Sequence, residues 1–306
     1  MKIAVLKSGA IGDLLLITPA VRSLRDFYPH AVIDVFCPYE YSHVLAANPS
    51  VTNIRTFSMT RIHSLSGRFG EAVKIISMLK GYDVSLTLNT DRRWQALPLL
   101  AGIKNRICVK SRGHRADDCL KAVSALTGQQ TDMSGYVFVP DQSDIDVPTE
   151  KYIAIAPGGG HNVKMSSPQK IWDKYPQLIE MILQRTELSV VILGDSRDTL
   201  PLTGNRIYDR TGITTLSDCY RLIANAERFI GNDSGLTHLA ACTKTPITAL
   251  YGPTDPAHTA PKNAAVIASG LPCSPCETRG CFSCPENRCM RRISVDGVFN
   301  TLKEFD

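Results

Sequence analysis

The chain has 306 residues, 43% hydrophobic and 21% charged, and its 34 Lys and Arg against 29 Asp and Glu give a formal charge of +5. That length favours two domains, and that composition excludes a fibre or a disordered chain. The charge is too mild to argue for nucleic acid by itself but suits an anionic ligand. The longest apolar runs, Leu14–Ile17, Ile153–Ala156 and Val190–Leu193, fall far short of the ~20 residues that span a bilayer. Met1–Leu6 is interrupted by Lys7 and followed by no small-residue cleavage site before Asp13, so a cytoplasmic protein is expected.

In chain order, strands are expected at Lys2–Lys7, Ala31–Cys37, Asn53–Phe57, Asp83–Asn89 and Arg106–Val109. Between them lie helical patterns at Ala20–Tyr28, carried by Val21, Leu24 and Phe27, and at Glu71–Leu79, carried by Val73, Ile76 and Leu79. Residues Val139 to Pro148 hold two prolines and three aspartates without periodicity and are read as a linker, giving domains 1–145 and 146–306. The rhythm then restarts with strand Tyr152–Ala156, a Gly-rich loop, helix Ile171–Gln184, strand Ser189–Leu193 and helix Leu216–Ala226. Strand Phe229–Ile230, helix Leu236–Cys242 and strand Ile247–Tyr251 follow. Such alternation predicts α/β domains with parallel sheets, and two of them place a ligand cleft at the carboxyl ends of their strands. Ser294 can cap a last helix with Val295, Val298, Phe299, Leu302 and Phe305 on one face, and packing back onto the first domain is one way to bury it.

Three loops stand out chemically. After the first strand, Ser8-Gly9-Ala10-Ile11-Gly12-Asp13 turns into an apolar helix; its spacing is not G-x-G-x-x-G, so it gives little support for a dinucleotide site. Asp13 reads either as a helix N-cap or as a catalytic base facing the cleft, and the two roles are compatible. Pro19 predicts a kink or a helix restarting with Thr18 as cap. Gly158, Gly159 and Gly160 allow close approach to a ligand, or simply a mobile loop, and Lys164 or Lys170 could supply a cation for a diphosphate. In Gly231-Asn232-Asp233-Ser234-Gly235, the amides of Ser234 and Gly235 open a helix that carries His238 one turn on, an arrangement suited to an anion. Asp233 is awkward there, since a carboxylate repels phosphate, so a capping or hydroxyl-binding role is expected for it.

Taken together, these stretches resemble glycosyltransferase family 9, the ADP-heptose:lipopolysaccharide heptosyltransferases. The resemblance rests on Lys7–Asp13 with Thr18-Pro19-Ala20, Pro157-Gly158-Gly159 with Lys170-Ile171-Trp172, Gly194–Asp198 and Thr211–Leu216. Most of all it rests on Gly231–Gly235 with His238-Leu239-Ala240 and on Leu250–Pro256. It implies a GT-B fold, two Rossmann-like domains with parallel sheets facing across a cleft, the first binding acceptor and the second nucleotide sugar. It also implies inverting, metal-independent transfer of a heptose or similar sugar from ADP-heptose to a lipopolysaccharide core-type acceptor. Carried over, Asp13 is the base; Gly158, Gly159, Lys170, Asp198, Asp233, Ser234, Gly235 and His238 bind donor; and Gly9, Ala10, Arg112 and Arg115 face the acceptor. Leu236 and Thr237 replace the family's usual proline and methionine, Asp198 replaces a glutamate, and Trp172-Asp173 replaces Trp-Pro. A GT-B epimerase or transferase acting on another nucleotide sugar, and a non-catalytic sugar-nucleotide-binding subunit, are the competing readings.

The basic run from Lys104 to Arg115 reads as a solvated face, or as attraction for an anionic glycolipid acceptor and the inner-membrane surface that carries it. No nucleic-acid partner is expected. Ten cysteines are many for a cytoplasmic chain. Cys37, Cys108, Cys119, Cys219 and Cys242 read as small buried hydrophobes. The loop 273–289 offers Cys273, Cys276, Cys281 and Cys289, with Cys284 as substitute, as a structural site for zinc or iron. Free or disulfide-linked thiols are the alternative, and a metal-sensing or redox module is a third reading of the whole protein.

Overall fold

The computed structural model of the chain describes residues 1–64, 66–111, 113–131, 135–159, 168–276, 284 and 286–302. It divides into two compact units, Met1–Val139 and Pro140–Asp306. The division falls ahead of the expected boundary because the segment after Pro140 is tied into the second unit. The Asp141 amide donates to Ser217 Oγ (3.0 Å), Arg221 Nη1 donates to the Ser143 carbonyl (2.7 Å), and Ser143 Oγ donates to Asp218.

The first unit is a five-stranded parallel sheet in the order β3-β2-β1-β4-β5. Its strands are β1 (Lys2–Leu6), β2 (Val32–Pro38), β3 (Asn53–Phe57), β4 (Val84–Thr87) and β5 (Asn105–Cys108). The second is a six-stranded parallel sheet in the order β11-β10-β9-β6-β7-β8. It comprises β6 (Tyr152–Ala156), β7 (Ser189–Ile192), β8 (Ile207–Asp209), β9 (Arg228–Asn232), β10 (Ile247–Tyr251) and β11 (Ala264–Ala268). Central strands such as β6 and β10 are buried along their whole length, which is why they read as uninterrupted apolar runs. In each sheet the strand order reverses beside the unit's first strand, between β1 and β4 and between β6 and β9. Ligands of open α/β sheets collect outside the carboxyl ends at such points.

The helix after β1 breaks in two, Ile11–Leu16 and Thr18–Phe27, with Pro19 in the first turn of the second piece. Thr18 does not cap that piece; Ile17 does, while Thr18 Oγ1 donates to the Leu15 carbonyl (2.7 Å) and accepts the Val137 amide (2.9 Å). The helix expected from Ile171 starts at Tyr175, after a short 3-10 turn at Pro168–Lys170, with Pro176 in its first turn. The terminal helix is Val295–Asn300, capped by Ser294, whose Oγ accepts the Gly297 amide (3.1 Å). Its Val298 and Phe299 belong to the second unit's own core with Trp172, Tyr175, Ile179 and Met290, so that core takes up the apolar face. Phe305 lies outside the described residues.

Candidate functional site

In the first unit, residues 7–13 leave β1 at the switch point, and Asn89 follows β4 beside them. Ser8 is fixed there, its amide and its Oγ both donating to Asn89 Oδ1 (3.1 and 3.0 Å). Asp13 is the third residue of its helix, not the N-cap; Ala10 takes the cap position, and its amide donates back to Asp13 Oδ2 (3.3 Å). Ala has no side chain that could cap, so the carboxylate serves this helix end from inside. Gly9 has φ +137°, and a Cβ there would lie 2.4 Å from Asp13 Oδ2, so only glycine lets the carboxylate fold against the turn.

The other Asp13 oxygen meets cations. Lys7 Nζ lies 3.1 Å from Oδ1 and donates to the Leu88 carbonyl (3.4 Å), while Arg115 Nη1 is 3.6 Å from the same oxygen. Lys7 is almost wholly buried, whereas the Asp13 side chain keeps 28% exposure, enough for a substrate to reach it. Burial pushes the Asp13 carboxyl up, but the Lys7 and Arg115 charges and the Lys7 and Ala10 donors outweigh it and hold the group below the usual carboxylate range. Arg115, expected to face an acceptor, thus also pairs with the carboxylate at the helix it opens (Arg115–Thr127). Arg112 lies outside the described residues.

The second unit gathers its expected residues at its own switch point. The Gly-rich loop follows β6, Asp198 follows β7, and Asp233–Gly235 follow β9. A Cβ on Gly158 would lie 2.1 Å from Asp198 Oδ2, and one on Gly159 (φ +119°) 2.6 Å from Ser234 Cβ, so the three loops touch through missing side chains. Asn232 stitches two of them, its Nδ2 donating to the Pro157 and Gly158 carbonyls (2.6 and 3.0 Å) while its Oδ1 accepts the buried Tyr175 hydroxyl (3.0 Å). Asp198 Oδ2 accepts the Asp195 amide (3.0 Å), which turns its carboxylate over Gly158 and Gly194. Gly160 and Lys164 lie outside the described residues.

Lys170 Nζ pairs with Asp233 Oδ2 at 2.7 Å, with side chains 20% and 10% exposed. That contact removes the objection to an acid beside an anion site. Burial pushes the Asp233 carboxyl up, yet Lys170, the neighbouring His238 and the Thr254 hydroxyl together lower it, so it stays ionised and neutralised. Ser234 is the N-cap of the short helix Gly235–Ala240, and among the described residues the Ser234 and Gly235 amides have no backbone acceptor. His238 is buried beside Asp233.

Asn89 and Tyr175 are partners that motif reading missed, while Lys7 and Asn232 stood inside the motifs without a role assigned to them. Lys7 and Asn89 could have been found by aligning the carboxyl ends of β1 and β4, which parallel pairing makes neighbours.

Of the clustered cysteines, Cys273 is exposed, Cys276 and Cys284 are half-buried, and Cys289 is buried; Cys281 lies outside the described residues. Among the described residues no three His, Cys, Asp or Glu gather as a metal site. Backbone donors from Arg288 and Glu286 lower the Cys284 thiol, while burial pushes Cys289 up.

Residues 126–285 match glycosyltransferase family 9 (heptosyltransferase). The chain is 24% identical to lipooligosaccharide heptosyltransferase 2 of Haemophilus influenzae, over 85% of this chain and 86% of that protein. The structure of E. coli ADP-heptose lps heptosyltransferase II superposes with a TM-score of 0.72 at 22% identity, covering 99% of this chain and 98% of that one. The iron-containing dodecameric glycosyltransferase TibC of enterotoxigenic E. coli gives 0.64 at 17% identity, covering 99% of this chain and 76% of that one. Two parallel-sheet α/β units with these neighbours show the GT-B fold. The chain belongs to glycosyltransferase family 9. No described helix is long and apolar enough to cross a membrane.

Proposed function

We propose that the protein transfers heptose, or a closely similar sugar, from ADP-heptose to a lipopolysaccharide core-type acceptor, with inversion and without a catalytic metal. The observation that carries the reading is the meeting of Gly158, Gly159, Asp198, Lys170 and Asp233–Gly235 around one switch point in a family 9 chain. The printed names of the H. influenzae and E. coli proteins support the sugar, nucleotide and acceptor class.

In this reading the acceptor hydroxyl attacks the anomeric carbon from the face opposite the diphosphate. A carbon–oxygen bond forms, the bond to the diphosphate breaks, and the hydroxyl proton passes to Asp13. Charge building on the departing ADP is met by the Ser234 and Gly235 amides and by Lys170, which stand ready before the reaction and need no reorganisation. Asp198 faces the nucleoside, His238 a sugar hydroxyl, and Gly158 and Gly159 let the diphosphate approach the backbone. Gly9, Ala10, Arg112 and Arg115 face the acceptor, an anionic glycolipid that brings a cytoplasmic enzyme to the inner-membrane surface. The first unit is then the acceptor domain and the second the donor domain.

The cysteine segment is proposed as a structural zinc or iron site, held by Cys273, Cys276, Cys281 and Cys289 with Cys284 as substitute. Cys276 and Cys284 lie within electrostatic reach of Cys289, and soft thiolates suit either metal. Metal analysis with Cys276→Ser is the check: a structural site predicts loss of metal and of thermal stability with ADP binding retained.

The functional test incubates the protein with ADP-heptose, UDP-sugars and GDP-sugars, each with a heptose-accepting core oligosaccharide, and follows nucleoside diphosphate release. ADP release dependent on acceptor is expected. Release from a UDP- or GDP-sugar, or ADP-heptose binding without turnover, would contradict the proposal.

A further inference from the structure

Described residues of the cysteine-rich loop and of the helix that follows it grip both sides of the Lys170–Asp233 pair. On the lysine side, Asn287 Nδ2 donates to the carbonyl of Ile171, the residue after Lys170 (2.7 Å). Trp172 Nε1 donates to the Ile293 carbonyl (3.2 Å), and Lys174 Nζ donates to the carbonyls of Arg291 (2.5 Å) and Ile293 (3.1 Å). On the aspartate side, Thr254 stands beside the Asp233 carboxylate at the end of the turn that follows β10. That turn is held from the same segment: Ser274 Oγ donates to the Gly252 carbonyl (2.5 Å) and the Cys276 amide to the Pro253 carbonyl (2.9 Å). A Cβ on Gly252 would lie 2.5 Å from Met290 Sδ and 2.9 Å from Cys289 Sγ, so the turn is packed directly on the start of the final helical region.

Asn287 is the unusual member. It is the one non-glycine with positive φ (52°) among the described residues, and it caps the helix Arg288–Arg292 from a left-handed conformation. A left-handed residue costs stability except where glycine or asparagine occupies it. Here the conformation aims the side-chain amide across to the Ile171 carbonyl, next to Lys170; Lys170 itself ends a single 3-10 turn, which among the described residues is closed by the Ile171 amide on the Pro168 carbonyl (3.0 Å).

We infer that Asn287 is a positioning residue for the donor site: by holding the Ile171 carbonyl it keeps the Lys170 ammonium in place on Asp233 and toward the diphosphate. Asn287 and the described residues beside it are then a brace for nucleotide binding as well as a fold element. This rests on the donor role proposed for Lys170, and the test separates the two.

Dissociation constants for ADP are measured by calorimetry on the full chain for wild type, Asn287→Gly, Lys170→Gln and the double variant, each with its melting temperature. Asn287→Gly keeps the left-handed backbone and removes only the side-chain donor. It should weaken ADP roughly fivefold, the scale of one hydrogen bond, and that effect should vanish in the Lys170→Gln background. A residue with a merely structural role would lower the melting temperature by the same amount and change ADP affinity by the same factor, or not at all, in both backgrounds; either result overturns the inference. Asn287→Asp, isosteric and tolerant of the same backbone, should reproduce the loss should the glycine variant fold poorly, and wild-type ADP affinity in it overturns the inference. Unchanged ADP affinity in Lys170→Gln overturns the donor role of Lys170 itself, and a wild type that binds no ADP overturns the donor site together with its brace.

Discussion

A general base does best with a pKa near working pH, yet Asp13, the base proposed above, is held low by two cations. Lys7 and Arg115 share its Oδ1, and the Ala10 amide takes Oδ2. The arrangement keeps the carboxylate ionised and aimed, at some loss of intrinsic basicity. Because its folded pKa is depressed, Asp13 adds stability that is complete above its unfolded value, about 3.9, and is lost as pH falls through the lower folded value. Removing the buried Lys7 charge leaves desolvation less opposed. Lys7→Met should therefore raise the carboxyl and move the acid limb of the kcat/KM profile to higher pH, as a rate profile between about pH 3 and pH 8 would read. An acid limb that stays in place would separate Lys7 from the titration. Arg115→Ala should shift the limb less, because that side chain is 45% exposed and 0.5 Å farther from the oxygen, 3.6 against 3.1 Å. Lys7 was visible in the sequence as part of a motif, but its partner was not: a salt bridge six residues along a turn depends on the helix starting at Ile11, and the residues also permitted a start at Asp13.

At the scale of elements, the functional loops occupy the switch points because β1 and β6 are each flanked by parallel strands that leave in opposite directions. Gly159 shows how tight the second junction is. Its φ is +119°, and an added methyl would approach Ser234 Cβ to 2.6 Å. Gly159→Ala should therefore cost about 1–3 kcal/mol of backbone strain and open the diphosphate loop. Calorimetry should show weaker ADP binding alongside the lower melting temperature. Strands β3, β6 and β10 were legible residue for residue: β6 and β10 because buried parallel strands write themselves as apolar runs, and β3, an edge strand, through its alternating pattern of more and less exposed residues. The helix Arg115–Thr127 was not. Its buried residues are Ala116, Asp118, Cys119, Leu120, Ala122 and Val123, mostly small and one of them charged, which gives a faint periodic signal, and its first residue was absorbed into the reading of a basic run. The edge strands β8 and β11 also escaped: β8 is only three half-buried residues, and β11, though apolar, has just two branched side chains, Val266 and Ile267, among alanines.

For the whole molecule, each unit supplies one half of the proposed chemistry, and the C-terminal segment belongs energetically to the second. Phe299 is 3% exposed, packs in the core with Trp172 and Tyr175, and lies under Arg185, whose guanidinium is 5.6 Å from its ring. Phe299→Ala should cost about 3–5 kcal/mol, the usual range for a buried phenylalanine, as thermal or denaturant unfolding would read. A loss below about 1 kcal/mol, within the range of ordinary surface substitutions, would mean that the last helix is not part of that core. The gathering of Gly158, Gly159, Asp198 and Asp233–Gly235 was largely readable from the order of their motifs; the pairing of Lys170 with Asp233 was not, because 63 residues and the strands β7, β8 and β9 separate them. The proposed base is tested most directly by Asp13→Asn, assayed with ADP-heptose and a heptose-accepting core oligosaccharide for ADP release and titrated with ADP. Turnover should fall by about 10²–10⁴-fold, the contribution of a positioned base, while ADP affinity stays within about twofold, since the interaction lost belongs to the transition state. Turnover at the wild-type rate would contradict it.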